Sequence, residues 1–177
     1  MFSGNTTLES ITLGPAVKAI ADGSFSGCTN LREVNLSASL LVIGERAFSG
    51  CTSLTELVFP ESLMLIRYDA FQGAGLTSVS IHPKHGRFSS EEGGRSYKNM
   101  LYNEVFDEYT DCEILPLAFD KCRNLENISL GDNITVTHEA FRNTKWYEAQ
   151  PEGLLYLDNI LVDFKFAGLD VPKSFEV

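Results

Sequence analysis

The residues of this chain best suited to chemistry are three histidines, four cysteines and one acidic cluster. His82 and His85 have the spacing of metal ligands, but Pro83 lies between them and no Cys or carboxylate cluster is registered nearby. Asp107, Glu108, Asp111 and Glu113 would attract a hard cation, yet their spacing departs from that of an EF-hand loop, and a solvated acidic face accounts for them. His138 falls in an outer segment and reads as surface. There is no phosphate-cradling glycine loop, no G-x-S-x-G and no Cys matched to a His. The expectation is a protein that is not an enzyme, with no catalytic residues, no metal and no cofactor.

The cysteines point instead to architecture. Cys28 and Cys51 lie three residues after Phe25 and Phe48, and Cys122 three after Phe119, so one position recurs. A small apolar residue used repeatedly at one position is a free thiol stacked in a core. Cys112 falls outside this column, ten residues before Cys122, and the sequence leaves open whether the two pair.

The column belongs to a longer unit. Phe2, Phe25, Phe48 and Phe71 recur every 23 residues, with Ile20, Ile43 and Ile66 five before the later ones and Leu8, Leu31 and Leu54 six after the first three. A fixed period of this size predicts a solenoid. The second half of the unit reads L-x-x-L-x-L: Leu8, Ile11, Leu13; Leu31, Val34, Leu36; Leu54, Leu57, Phe59; then Leu76, Val79, Ile81 and Leu125, Ile128, Leu130. Its last three positions alternate in and out as a strand does, and neighbouring copies bury one another's inner face in a parallel sheet about 4.8 Å apart. A turn marked by Gly14, Ser37, Pro60 or Gly131 follows, then a second apolar pair such as Val17 with Ile20. The coils are too short for a two-turn outer helix, so short strands or single turns are expected there.

The register L-x-x-I-x-I followed by V-x-x-I-G-x-x-A-F-x-G-C resembles the BspA type of bacterial leucine-rich repeat, and LLVIGERAFSGCTSLTELVFPES follows it nearly position by position. The likeness covers roughly residues 1 to 83 and 112 to 147. It implies a leucine-rich-repeat solenoid of the α/β horseshoe class, mostly β, with a parallel sheet on the concave face and short strands or turns on the convex face. It also implies a cell-surface or secreted protein that binds host or matrix macromolecules.

Two stretches break the repeat. From Phe71 to Phe119 is 48 residues, two periods plus two, so one coil's worth of chain, Lys84 to Asp111, departs from the template. The pattern resumes at Ile114 and Phe119, with Phe141 22 residues on and Val136 five before it. The second break starts at Trp146, where Leu155 to Leu157 and Ile160 to Val162 flank a tight turn at Asp158 and Asn159. Met100, Leu101 and Tyr102 echo Leu154, Leu155 and Tyr156, so both breaks (84–111 and 146–177) read as hairpins. Residues 1–177 then form one domain of six registered coils and one irregular one, about 33 Å long at about 4.8 Å per coil.

Composition excludes other classes. A net charge of −10 argues against nucleic acid, whose binding depends on cations neutralising phosphates, and no basic cluster suggests anionic lipid. No apolar run approaches the roughly 18 residues of a membrane span. Met1 is followed by FSGNTT without a charged start or apolar core, so no signal peptide is read, and it stands where other copies carry Ser24, Ala47 or Ala70. The chain therefore reads as a fragment of a longer protein. Sequons at Asn5, Asn35, Asn127 and Asn133 are incidental in repeats rich in Asn, Ser and Thr.

On the strands, one outward column is Ser10, Glu33, Glu56, Ser78, Asn127 and the next is Thr12, Asn35, Val58, Ser80, Ser129. Glu33 beside Glu56 is mildly unfavourable, as like charges on adjacent strands repel, and suggests a basic partner or tolerance on an exposed sheet. The residues expected to contact a protein or glycan partner are Glu33, Asn35, Glu56 and Val58 on the strands, with Tyr102 and Trp146 exposed in the breaks beside Tyr97 and Tyr109. A binding or adhesion module is the first expectation, and a structural spacer displaying other domains is the alternative.

Overall fold

The computed structural model describes residues 2–84, 111–157 and 160–165, with only the backbone of 97–99, 104–106 and 164. In chain order the strands are β1 (Ser10–Thr12), β2 (Ala19–Ile20), β3 (Glu33–Asn35), β4 (Val42–Ile43), β5 (Leu65–Ile66), β6 (Ser78–Ile81), β7 (Tyr97–Asn99), β8 (Glu104–Phe106), β9 (Cys112–Ile114), β10 (Asn127–Leu130), β11 (Ile134–Val136), β12 (Gly153–Leu157) and β13 (Ile160–Lys165). A short helix, α1 (Lys145–Ala149), precedes β12.

The phenylalanines stack into one ladder. Ring centroids from Phe2 through Phe25, Phe48, Phe71 and Phe119 to Phe141 are 5.7, 5.2, 5.3, 5.1 and 5.1 Å apart, with planes within 3 to 11° of parallel. Flanking the ladder, Leu31, Leu54, Leu76 and Leu125 on one edge and Ile43, Ile66 and Ile114 on the other are fully buried. Each coil thus contributes one ring and two aliphatic edges to a single core, as the periodicity predicts.

The step across residues 85–110 corrects the expected coil count. Phe71 stacks directly on Phe119, Ile66 pairs with Ile114, and Ser78 pairs with Asn127. The chain leaves after β6 and rejoins at β9, which is the turn from one edge of a coil to the other. The departing stretch is therefore an enlarged turn and adds no winding. Among the described residues the solenoid has six coils, one fewer than the sequence suggested, and is shorter by about one step.

The two edges also differ from expectation. The longer sheet lies on the Val/Ile edge, in the parallel order β11-β9-β5-β4-β2. On the L-x-x-L-x-L edge the sheet is split into β1-β3 and β6-β10. In the third coil Glu56 to Val58 forms no strand, and no backbone hydrogen bond among the described residues joins it to either neighbour. Two features act in this direction. Phe59 stands where other coils carry Leu13, Leu36, Ile81 or Leu130, and its larger ring wedges edge-on against Phe71 and Phe119 at 5.6 and 6.4 Å. Glu56 would also lie opposite Glu33.

Both breaks contain antiparallel hairpins, β7 with β8 and β12 with β13. The turn at Asp158 and Asn159 lies outside the described residues, as do His85, Tyr102, Asp107, Glu108 and Tyr109. The second hairpin closes one end of the solenoid. Leu155, Leu157 and Val162 are buried in the main core, and Asp163 Oδ2 accepts the Glu139 N–H at 3.2 Å, as Asp22 Oδ1 accepts the Glu45 N–H at 2.6 Å between earlier coils. Helix α1 was not expected. Thr144 caps it, accepting the Tyr147 N–H at 3.1 Å, and Lys165 Nζ donates to the carbonyls of Tyr147, Glu148 and Gln150 at 2.9 to 3.1 Å. Lys165 thereby satisfies carbonyls that a helix end otherwise leaves without partners.

Two columns of left-handed backbone flank the rings. Two residues after the ring the φ angles are 57 to 72°, at Gly4, Gly27, Gly50, Gly73, Lys121 and Asn143. Two residues before it they are 53 to 66°, at Gly23, Arg46, Asp69, Leu117 and Glu139. The second column is filled mostly by side chains that disfavour this region, at a cost of roughly 1 to 2 kcal/mol each.

The thiols form a ladder of their own. Cys28, Cys51 and Cys122 donate to the carbonyls of Phe2, Phe25 and Phe71, one coil back in each case, at 3.0 to 3.1 Å. All four cysteines are free and buried, so Cys112 and Cys122 are not bridged. Burial pushes the thiols of Cys51, Cys112 and Cys122 up from 9.0 to about 12. In the unfolded chain each thiol loses its proton near pH 9, whereas the folded chain holds it until about 12. The folded form then binds more protons in that window, and stability falls as pH rises through it. Melting temperature measured from pH 8 to 11 should decline more steeply for this chain than for a Cys51→Ala, Cys122→Ala variant; equal slopes would show that the thiols do not couple to folding.

Candidate binding surface

The strands of the L-x-x-L-x-L edge alternate as the sequence requires. Val34 and Val79 point into the core, while Ser10, Thr12, Glu33, Asn35, Ser78, Ser80, Asn127 and Ser129 are exposed. Registry places Ser10 opposite Glu33, Thr12 opposite Asn35, and Ser80 opposite Ser129. Asn35 Nδ2 donates to Glu33 Oε1 at 2.8 Å and to Thr12 Oγ1 at 3.3 Å, which fixes both side chains on the face. Most of this surface is a flat array of small donors and acceptors.

The third coil interrupts it. Where Glu56 to Val58 leaves the ladder, a groove of about 480 Å³ opens, lined by Glu56, Val58, Glu61, Ser78, Ser80 and His82 among others. It runs into a second hollow of about 480 Å³ through Glu61 and His82, which both share, towards Lys84 and Asp132. Val58 is 85% exposed, far more than any other large apolar residue described. His82 Nε2 stands 3.1 Å from Ser129 Oγ, and Lys84 pairs with Glu61 at 2.6 Å, so the groove carries both signs of charge. Among the described residues no group of three or more His, Cys, Asp or Glu is placed to hold a metal.

A family model of the BspA type leucine rich repeat region matches in six copies, over residues 1–91 and 104–152. The chain belongs to that family. The six copies agree with the six rings of the ladder. BspA-type repeats are typically found on bacterial surfaces, and leucine-rich repeat domains are in general protein-binding modules. A leucine-rich repeat protein from Bacteroides ovatus superposes with a TM-score of 0.54 at 23% identity, covering 76% of this chain and 28% of that one, and shows the fold alone. A leucine-rich repeat protein from T. pallidum superposes with a TM-score of 0.52 at 27% identity, covering 80% of this chain and 67% of its own. No curated protein matches significantly. No described helix is long and apolar enough to cross a membrane.

Against this BspA-type frame the sequence-expected contacts separate. Glu33, Asn35, Glu56 and Val58 share one face, the last two in the groove and the first two on the strand beside it. Trp146 is elsewhere and is not the exposed anchor expected. It is half-buried, packs on the core and meets Phe141 edge-on at 6.2 Å, and its backbone N–H donates to Leu125 O at 2.7 Å. It fills the place held by Leu76 in a regular coil, so truncating it tests packing rather than recognition. Glu61 joins the groove unforeseen, because its position there depends on the third coil standing out of the sheet.

Proposed function

We propose that this chain is a non-enzymatic binding module of a cell-surface or secreted protein, part of a longer chain, which takes a protein or glycan partner on the L-x-x-L-x-L face. Glu33, Asn35, Glu56 and Val58 supply the contacts, with Tyr102 as a further one expected from sequence. The exposure of Val58 in the groove carries this reading. A large apolar side chain left in water at the one gap in an otherwise polar face gives a partner a place to bury area, and the surrounding polar groups give it orientation. The acidic surface continues to disfavour nucleic acid.

The test is retention of the purified chain on immobilised matrix proteins and a glycan array, repeated with Val58→Asp. The variant should lose about tenfold or more in affinity with an unchanged melting curve. Retention unaffected by Val58→Asp would move the contact off this face. A structural spacer is the second reading, supported by the unbroken ring ladder, which gives a rigid rod. A spacer would be retained by none of the probes.

A further inference from the structure

Among the described residues, three cations gather in one cleft away from the strand face. A cleft of about 510 Å³ is lined by Lys121, Arg123, Asn143, Thr144, Lys145 and Glu148. Each of its cations is a departure from the repeat. Lys121 stands where Gly4, Gly27, Gly50 and Gly73 stand in other coils, and it holds their left-handed conformation at φ 58°. Arg123 and Lys145 occupy one repeat position in successive coils, four residues after Phe119 and Phe141, where the earlier coils carry Thr6, Thr29, Thr52 and Gly75.

Such an arrangement opposes folding twice. A lysine in the left-handed region is strained relative to glycine, and like charges on neighbouring coils repel. Carboxylates offset part of this: Lys121 reaches the buried Asp120 at 3.6 Å and Lys145 pairs with the exposed Glu126, while among the described residues no ion pair holds Arg123. Arg123, without an ion pair among the described residues, thus stands in a concavity beside two partly neutralised ammonium groups, where an anionic ligand would complete its pairing. The guanidinium of Arg123 offers a bidentate fork for a carboxylate or sulfate and the two ammonium groups flank it, while the Asn143 amide already donates to Asp120 Oδ1 at 2.7 Å.

The same cleft limits what the anion is attached to. Glu148 on its wall and a net charge of −10 repel polyanions and acidic peptides, but the Glu148 carboxylate accepts hydrogen bonds from hydroxyls. A volume of this size holds one or two sugar rings. We infer that this cleft binds the end of an acidic glycan, a sugar bearing a single anionic group among hydroxyls. It is a second site, distinct from the strand face.

Sialyllactose titrated into the chain and followed by amide NMR shifts should perturb residues of the cleft, and neutral lactose should not. Arg123→Glu should weaken sialyllactose by at least about tenfold with melting unchanged, Arg123→Lys should retain most of it, and Val58→Asp should leave it unaltered. Equal responses to lactose, a preference for a heparin oligosaccharide or an oligoglutamate peptide, no response at all, or an Arg123→Glu variant that binds normally would each overturn the assignment. Loss of sialyllactose binding in Val58→Asp would place the sugar on the strand face and overturn it as well.

Discussion

Phe71→Ala should cost about 3 to 5 kcal/mol of folding free energy, lowering the melting temperature by roughly 10 °C. Phe71 is fully buried and sits at the most connected point of the ladder. It stacks on Phe48 at 5.3 Å and on Phe119 at 5.1 Å, and receives the edge of Phe59 at 5.6 Å. Alanine leaves a cavity that flat rings on either side are poorly shaped to fill. It also removes one of the contacts that join the four coils before the enlarged turn to the two after it. Phe2, at 43% exposure and stacked on one side only, is the internal control. Phe2→Ala should cost much less, and equal losses in denaturant unfolding would mean that the ladder is not the core.

Gly75→Ala should be the most damaging glycine substitution, at or above the roughly 1 to 3 kcal/mol typical of overpacking. A Cβ on Gly75 would lie 2.2 Å from the carbonyl oxygen of Thr52 and 3.0 Å from its carbon. The obstruction is backbone, which has no rotamer to change. The cause is local, since GAGL replaces GCTSL in this coil and the shorter turn draws the chain against its neighbour. Gly14, with nothing within 4 Å of its added Cβ and no positive φ, should accept alanine with little effect. Parallel melting curves settle the comparison, and a Gly75→Ala variant as stable as Gly14→Ala would show that the turn can open.

The sequence made the ring column, the two aliphatic edges and both hairpins legible, because each is written in a fixed spacing or alternation. It also indicated stacked thiols, although their donation to carbonyls one coil back needs coordinates. Spacing failed where it is degenerate. A step of 48 residues from Phe71 to Phe119 is compatible with an additional winding or with a long turn, and the coordinates decide between them by stacking Phe71 on Phe119 and pairing Ile66 with Ile114 and Ser78 with Asn127. The left-handed column at Arg46, Asp69, Leu117 and Glu139 has no compositional mark, since tertiary contacts override local preference there. Trp146 was misplaced because an aromatic in a break reads as exposed until the end of a ladder is seen to need covering.

The binding surface was legible as a list of outward residues and not as a shape. Counting outward positions finds Glu33, Asn35, Glu56 and Val58, but not that the third coil stands out of the sheet and gives Val58 its groove. For the basic cleft a signal was present: Lys121 in a glycine column, and Arg123 and Lys145 at one repeat position. Those residues become informative only when coils are compared with each other, so that each departure from the common pattern is weighed.

The enlarged turn between β6 and β9 has a consequence for how such chains diversify. Because Ile66 still meets Ile114 and Phe71 still meets Phe119, the pitch of the winding is indifferent to what is spliced between Lys84 and Cys112. Loop-closure cost grows only with the logarithm of loop length, so a segment of quite different size could be exchanged there for a small penalty. The position is a natural graft point, where new recognition sequence can be carried on an unaltered scaffold.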